Sequence, residues 1–436
     1  MAWCEASVIE LHGYPSICGY PFRAASHMPC DITDTEQFGI SDITSTIKTV
    51  ACGILGSMSR IRLPAPPFWL DAALEFCIAK TRHNLTTLAG FPERTENGQW
   101  VEIDSTKHGW WVGGHWVGLL WLTFTATGDD RLAVAARNWG RRLLPQLNVL
   151  ADHDLGFLFE LGFILGYQLT GDEVLKLPAL QAAELLSHRF NPSGYFIQAW
   201  GTLDAAPEVR GRTIMDTMMN LDLLFWAGKE TGDPRYAEIA VAHARTTITH
   251  HLRQDGSTCH VCVFDPETGA LLKHDTHQGL SATSCWSRGQ AWGVYGFADC
   301  YRATGEHAFL EASRRLMGYL WPRLPADLIP FWDFDSPLIP NDVRDSSAAA
   351  ILASGLLNLA MVEDDPKLAC IWQDRAVGIL ESLWTSYSSR DVEAASLLLH
   401  GTRSKPHNLM DHGLIYGDYY FVEALMRLYK PKLTIS

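Results

Sequence analysis

The chain has 436 residues and carries 35 Lys+Arg against 49 Asp+Glu, a formal net charge of −14 that excludes nucleic-acid binding by bulk charge. With 47% hydrophobic and 19% charged residues it can bury a large core and lies far from disordered compositions. No apolar run reaches the roughly 18 to 20 residues of a membrane helix, since the stretch 118–124 is soon broken by Thr127, Gly128 and Asp129, so no membrane partner is expected.

Residues 1–62 are rich in Ser, Thr, Gly and Cys, with Asp31, Asp34, Glu36 and Asp42 between short apolar runs, and read as an N-terminal extension. The first 30 residues lack a basic start followed by an apolar stretch, so no secretory signal is expected and the compartment is read as cytoplasmic. Pro64, Pro66 and Pro67 then mark the approach to the first strong helix. From there apolar residues recur at helical spacing, as in Trp69, Ala72, Leu74, Phe76, Cys77 and Ile78. The pattern predicts helices near 68–90, 113–127, 131–150, 154–169, 174–190, 215–230, 234–251, 287–303, 307–320, 346–361, 366–385, 389–400 and 415–429. Strand-like alternation is rare, so residues 63–436 are read as one all-α domain. Thr127-Gly128-Asp129, Thr170-Gly171-Asp172, Thr231-Gly232-Asp233 and Thr304-Gly305-Glu306 each separate two such segments. Glycine can end a helix in the left-handed conformation and the carboxylate can cap the next helix. Their intervals of 43, 61 and 73 residues argue against a solenoid and for helical hairpins with variable loops, closed into a ring.

Ten cysteines follow no framework spacing and read as free thiols. Cys259-x-x-Cys262 would need a second pair or two spaced histidines to make a zinc site, and Cys285 stands 23 residues further on, so no metal is expected.

Chemistry-bearing residues gather at predicted helix starts: Trp110, Trp111, His115, Trp116, His153, Asp154, Trp200, Asp216, Trp286, Arg288 and Trp292. Each of the 16 tryptophans alone reads as core, but clustered beside Asp, His and Arg they suggest a carbohydrate cleft. Asp154 precedes an apolar helix, where capping is its ordinary role. Asp216 heads a second apolar helix, where a carboxylate without a partner is expensive to bury. Two such aspartates permit acid and base work on a glycosidic substrate. Arg288, flanked by tryptophans, can clamp a carboxylate or form a structural ion pair. His260, His274 and His277 read as hydroxyl partners or as surface residues.

Six ordered motifs carry a resemblance. They are Trp111-Val112-Gly113-Gly114-His115-Trp116-Val117-Gly118 with Leu120-Trp121-Leu122, His153-Asp154-Leu155-Gly156-Phe157, Asp216-Thr217-Met218-Met219-Asn220, Thr276-His277-Gln278-Gly279, Trp286-Ser287-Arg288-Gly289-Gln290-Ala291-Trp292, and His400-Gly401-Thr402 with Leu414-Ile415-Tyr416-Gly417-Asp418-Tyr419-Tyr420. In these the chain resembles the unsaturated glucuronyl hydrolases, glycoside hydrolase family 88, over residues 68–430. The resemblance implies an (α/α)6 barrel that acts without cofactor or metal on oligosaccharides released by polysaccharide lyases, whose non-reducing end is a 4,5-unsaturated uronic acid. It implies Asp216 as general acid and base, protonating C4 of the enol ether and helping water attack C5. Asp154 is implied as the second essential aspartate, bonding ring hydroxyls and keeping Asp216 protonated by like-charge repulsion. Trp111 is implied as the stacking platform, Arg288 and Trp292 as neighbours of the uronate, Trp200 as the wall of the next subsite, and His153, His260 and Gln278 as further substrate contacts. His115 stands where the family has Phe. The Ser-x-x-Ser-x-Lys pattern of sulfate-accepting relatives appears as His400-Gly401-Thr402-Arg403-Ser404-Lys405, without the serines at matching places, and Arg403 and Lys405 read as solvated surface charges or as attractors of an anion. Two other readings stand beside this one: an unsaturated rhamnogalacturonyl hydrolase acting on pectin fragments, and a non-catalytic sugar-binding protein.

Overall fold

From Trp69 onward the helical periodicity is realised as paired helices. The structure, a computed structural model, describes residues 66–103, 110–149 and 151–431. The expected N-terminal extension over 1–62 lies outside them.

The chain begins with α1 (Leu70–Thr87), then forms α2 (Gly113–Thr127) and α3 (Asp130–Arg141). Next come α4 (Leu155–Phe159), continued through a π-helical turn at Glu160–Ile164 into α5 (Leu165–Thr170), and α6 (Lys176–Ser187). After the short α7 (Pro207–Arg210) follow α8 (Leu221–Thr231) with α9 (Pro234–His250), α10 (Ser287–Thr304) with α11 (His307–Leu320), and α12 (Ser346–Val362) with α13 (Pro366–Ser382). The last helix, α14 (Ile415–Tyr429), packs on α1. Six helices touch in a closed inner ring: α2, the α4–α5 rod, α8, α10, α12 and α14, which returns to α2. This is an (α/α)6 barrel.

Position in the barrel follows from composition. In α10, α12 and α14 the first thirteen or more consecutive residues are all buried, as expected for helices wrapped on every side. The outer α3 buries only Leu132, Ala133, Ala136, Trp139 and Gly140, one face at helical spacing. Hairpin turns form where expected: Gly128, Gly171, Gly232 and Gly305 end their helices with φ of 69°, 68°, 73° and 69°. Asp129, Asp172 and Asp233 each accept the backbone N–H two residues on, at 3.2, 3.2 and 2.9 Å, whereas Glu306 makes no such bond.

Two departures concern non-helical chain. Residues 389–400 hold only a short 3-10 turn, Ser389–Asp391, and then continue as bends with one bridge, Leu398 to Ser388, because buried Asp418 takes the N–H groups of Leu397 and Leu398 at 2.8 and 2.9 Å. Short strands also fill several connections: β1 (Phe91–Glu96) pairs with β2 (Gln99–Ile103), and β3 (Phe190–Asn191) with β4 (Phe196–Ile197). The third sheet, β5 (Arg212–Ile214), β6 (Val261–Phe264) and β7 (Leu271–Asp275), is antiparallel, and β5 delivers the chain directly to Asp216.

Candidate active site

The inner helices begin at one end of the barrel, and the residues just before or at those starts line a cleft of about 370 Å³. Trp110 and Trp111 precede α2, Asp152 and Asp154 precede α4, and Asp216 lies in the 3-10 turn before α8. Gln278 comes from the approach to α10 and Arg288 from its first turn, and Arg403, Ser404 and His407 from the approach to α14. Helix N-termini carry partial positive charge, so this end favours an anionic ligand although the whole chain is acidic.

Asp154 occupies the N-cap position of α4 without making a side-chain cap bond. That duty falls to Asn220, whose Oδ1 accepts the N–H groups of Gly156 and Phe157 at 2.7 and 3.2 Å. Asn220 therefore ties the start of α4 to the Asp216 turn, and the Asp154 carboxyl lines the cleft instead of capping the helix. Gly156 permits the approach: a Cβ there would lie 2.5 Å from Asn220 Cα.

The two carboxyls are set apart electrostatically. Burial raises the Asp154 carboxyl well above the usual range, and the charges of Asp152 and Asp216 push it further. Burial also raises Asp216, but it is outweighed by His260, by Arg288 and by His153, and the group ends below its ordinary value. The tautomer of His260 is defined by its surroundings. Its Nδ1 accepts the N–H groups of His277 and Gln278, both at 3.3 Å, so Nε2 carries the proton and faces Asp216 Oδ2 at 3.5 Å. Burial and the neighbouring carboxylates thus favour the neutral form at Asp154, while His260, Arg288 and His153 favour the charged form at Asp216. His153 adds a link, with Nδ1 3.0 Å from Thr217 Oγ1 and Nε2 3.4 Å from Asp154 Oδ1, and burial holds its pKa down to about 4.

Six of the ten sequence candidates line the cleft: Trp111, Asp154, Trp200, Asp216, Gln278 and Arg288. Trp111 packs against Tyr416 and Phe157, ring centroids 5.0 and 5.6 Å apart, and Trp200 meets the His277 ring edge-on at 5.4 Å. Gln278 donates from Nε2 to the Arg403 carbonyl at 3.0 Å. The structure places His115 and Trp292 behind Phe157, at 5.2 and 5.3 Å from its ring, both fully buried. There they support the wall, and burial lowers the His115 pKa to about 3, so its ring is neutral. His153 and His260 stand behind the two aspartates.

Arg288 is held on three sides. One Nη donates to Asp345 Oδ2 at 2.7 Å and to the Thr402 carbonyl at 2.6 Å, and the other to the Arg403 carbonyl at 2.6 Å. It is a structural ion pair that also projects its charge into the cleft. Arg403 lines the cleft instead of being solvated, with Nη1 2.6 Å from Glu93 Oε1 and its guanidinium 4.9 Å from the centre of the Trp110 ring. Lys405 pairs with Asp342 outside the cleft lining. Sequence reasoning missed Asp152, Asn220 and His407. Asp152 stood two residues before a chosen aspartate and Asn220 ended a quoted motif, whereas nothing local marked His407, whose ring lies 5.0 Å from that of His277.

A paired-carboxylate cleft with aromatic walls, on an (α/α)6 barrel, defines a glycoside hydrolase. The family model of Glycosyl Hydrolase Family 88 matches residues 88–358, and the chain belongs to that family. It is 40% identical over 346 residues to an unsaturated glucuronyl hydrolase of Bacillus sp. (strain GL1), covering 78% of this chain and 90% of that protein. An unsaturated chondroitin disaccharide hydrolase of Streptococcus pyogenes serotype M1 is 35% identical over 370 residues, covering 83% and 91%. The crystal structure of the Bacillus sp. GL1 unsaturated glucuronyl hydrolase, responsible for the degradation of glycosaminoglycan, superposes with a TM-score of 0.79 at 37% identity, over 83% of this chain and 97% of that one.

Proposed function

We propose that this protein removes the non-reducing-end 4,5-unsaturated uronic acid from lyase-generated oligosaccharides by hydrating the C4=C5 enol ether, and that residues 63–436 are its catalytic domain. The observation that carries the reading is the pair Asp154 and Asp216 in one aromatic-walled cleft, the first carboxyl pushed up by burial and the second pulled down by His260 and Arg288. The names of the relatives favour glycosaminoglycan-type fragments over pectin fragments.

In this mechanism Trp111 stacks on the unsaturated ring and Trp200 on the next sugar. The uronate enters under the positive field of Arg288, Arg403 and the helix N-termini. Its negative charge and the displaced water raise the proton affinity of Asp216, which takes up a proton on binding. Asp216 gives that proton to C4, positive character develops at C5, and water attacks C5 while Asp216 accepts its proton. The hemiketal opens, the aglycone leaves with its hydroxyl, and an open-chain keto acid remains. Asp154, neutral, donates to a ring hydroxyl, and Gln278 lies within the same wall. None of these steps requires a metal or cofactor.

No helix among the described residues is long and apolar enough to cross a membrane, and the six described cysteines are free thiols. The thiols support a reducing compartment, in keeping with cytoplasmic action on imported fragments.

The test pairs each unsaturated disaccharide, from hyaluronan, chondroitin, heparin, xanthan and pectin, with its saturated counterpart. Hydration requires the C4=C5 bond, so only unsaturated members should release their aglycone. Equal cleavage of a saturated uronide would mean direct attack at the anomeric carbon, and cleavage confined to the pectin fragment would move the substrate to the rhamnogalacturonide class.

A further inference from the structure

Cys259-x-x-Cys262 lacks a second pair in sequence, but the fold brings imidazoles to it. His251 closes α9, Cys259 and Cys262 bracket the start of β6, and β7 sets His274 opposite Cys262 in register. Cys259 Sγ and Cys262 Sγ are 3.5 Å apart; His251 Nδ1 lies 3.9 Å from Cys259 Sγ and bonds the Cys259 carbonyl at 3.0 Å, which leaves Nε2 as the ring's open lone pair. The ligand atoms of these three residues all fall within 4.8 Å of one another. A tetrahedral site with Zn–S bonds of about 2.3 Å and Zn–N bonds of about 2.0 Å has S–S and S–N edges of roughly 3.5 to 3.8 Å. Both thiols also point at one carbonyl oxygen, that of His250, at 3.5 and 3.4 Å, and His274 Nε2 reaches the same oxygen at 3.1 Å. The two cysteines and His251 are fully buried, and His251 Nε2 has no hydrogen-bond partner among the described residues. His274 is exposed on β7 and lies just outside that group of three, tied to it through the His250 carbonyl.

We propose that Cys259, Cys262 and His251 bind one thiophilic divalent cation of the Zn2+ type, with His274 completing the tetrahedron. Two thiolates and two imidazoles are the donor set such a cation takes in closed, structural sites. The cation would pin the start of β6 to the end of α9, and β6 directly follows His260, which faces Asp216. Its role is to hold that strand in place rather than to act on substrate.

The experiment uses the full chain, stripped with chelator, fully reduced, and titrated with Co2+ alone. One equivalent should give sulfur-to-cobalt charge-transfer absorption with the visible bands of a tetrahedral site, and Zn2+ should bleach both. Cys262→Ser should abolish the bands, and His274→Ala, at an exposed position that does not endanger folding, should weaken binding at least about tenfold. Cys4, Cys18, Cys30 and Cys52 lie outside the described residues, so bands that persist in a Cys259→Ser/Cys262→Ser double variant would place the cation elsewhere and overturn the proposal. No bands in the reduced wild type would also overturn it. So would sulfurs that resist alkylation until reduced and then bind no Co2+, the mark of a disulfide in place of a metal site.

Discussion

At Asp216 two opposing effects meet: burial favours the neutral acid, while His260, Arg288 and His153 favour the carboxylate and prevail in the free protein. The reaction needs the protonated form, and kcat/KM reports the ionisation of the free enzyme. The sign follows: as pH falls, more Asp216 carries its proton, so kcat/KM should rise as pH is lowered from about 8 toward about 5. A steady-state pH profile on an unsaturated disaccharide checks this, and a profile that is flat or climbs toward alkaline pH would contradict it. Gly156 is a second residue-scale test. An added methyl would press on Asn220 Cα at 2.5 Å, so Gly156→Ala should cost about 1 to 3 kcal/mol by overpacking and lower activity by shifting the Asp154 segment. Urea denaturation together with kcat reads both effects; a variant with wild-type stability and turnover would show that the contact is not tight.

At the scale of elements, the stretch 392–400 shows how one buried group overrides periodicity. Its apolar run, Leu397, Leu398 and Leu399, suits a helix, but Asp418 on α14 captures two of its N–H groups and holds it out of a helix. Burial pushes the Asp418 pKa up from 3.8 to about 7. An acid raised in the folded state binds its proton more tightly folded than unfolded, so its contribution to stability is present at low pH and is lost as pH rises from about 4 to about 7, by at most about 4 kcal/mol. Asp418→Asn cannot ionise, so apart from a constant offset for the lost acceptor it should gain on the wild type across that window. Denaturation midpoints in a pH series measure the difference, and parallel curves would refute the assignment. The β1–β2 hairpin is a different lesson, since its signal was present and unused. Asn97-Gly98, with φ of 50° and 76°, is the dipeptide that two-residue hairpin turns prefer, and it lay beside a stronger helical pattern.

Across the whole molecule, the barrel was legible because its helices declare themselves twice, by apolar spacing and by the Thr-Gly-Asp turns that end and restart them. The site was legible in part. Asp154, Asp216, Trp111 and Trp200 stood out as polar or aromatic residues at helix starts, and the closed inner ring explains why such positions converge at one end. Arg288 fits both of its readings, lining the cleft while paired with Asp345, whereas His115 and Trp292 lie behind Phe157, because depth behind a wall has no one-dimensional signature. The opposite shifts of the two aspartates were likewise hidden, since the one at Asp216 depends on His260, just before a strand more than forty residues downstream. The central claim is that Asp216 supplies the proton that destroys the enol ether. Its most direct measurement is the ultraviolet absorbance of the conjugated C4=C5 bond during incubation of an unsaturated disaccharide with the wild type and with Asp216→Asn. The absorbance should fall with the wild type and fall about 10²- to 10⁴-fold more slowly with the variant. Persistence of the absorbance with the wild type, or an equal decline with both, would contradict the account.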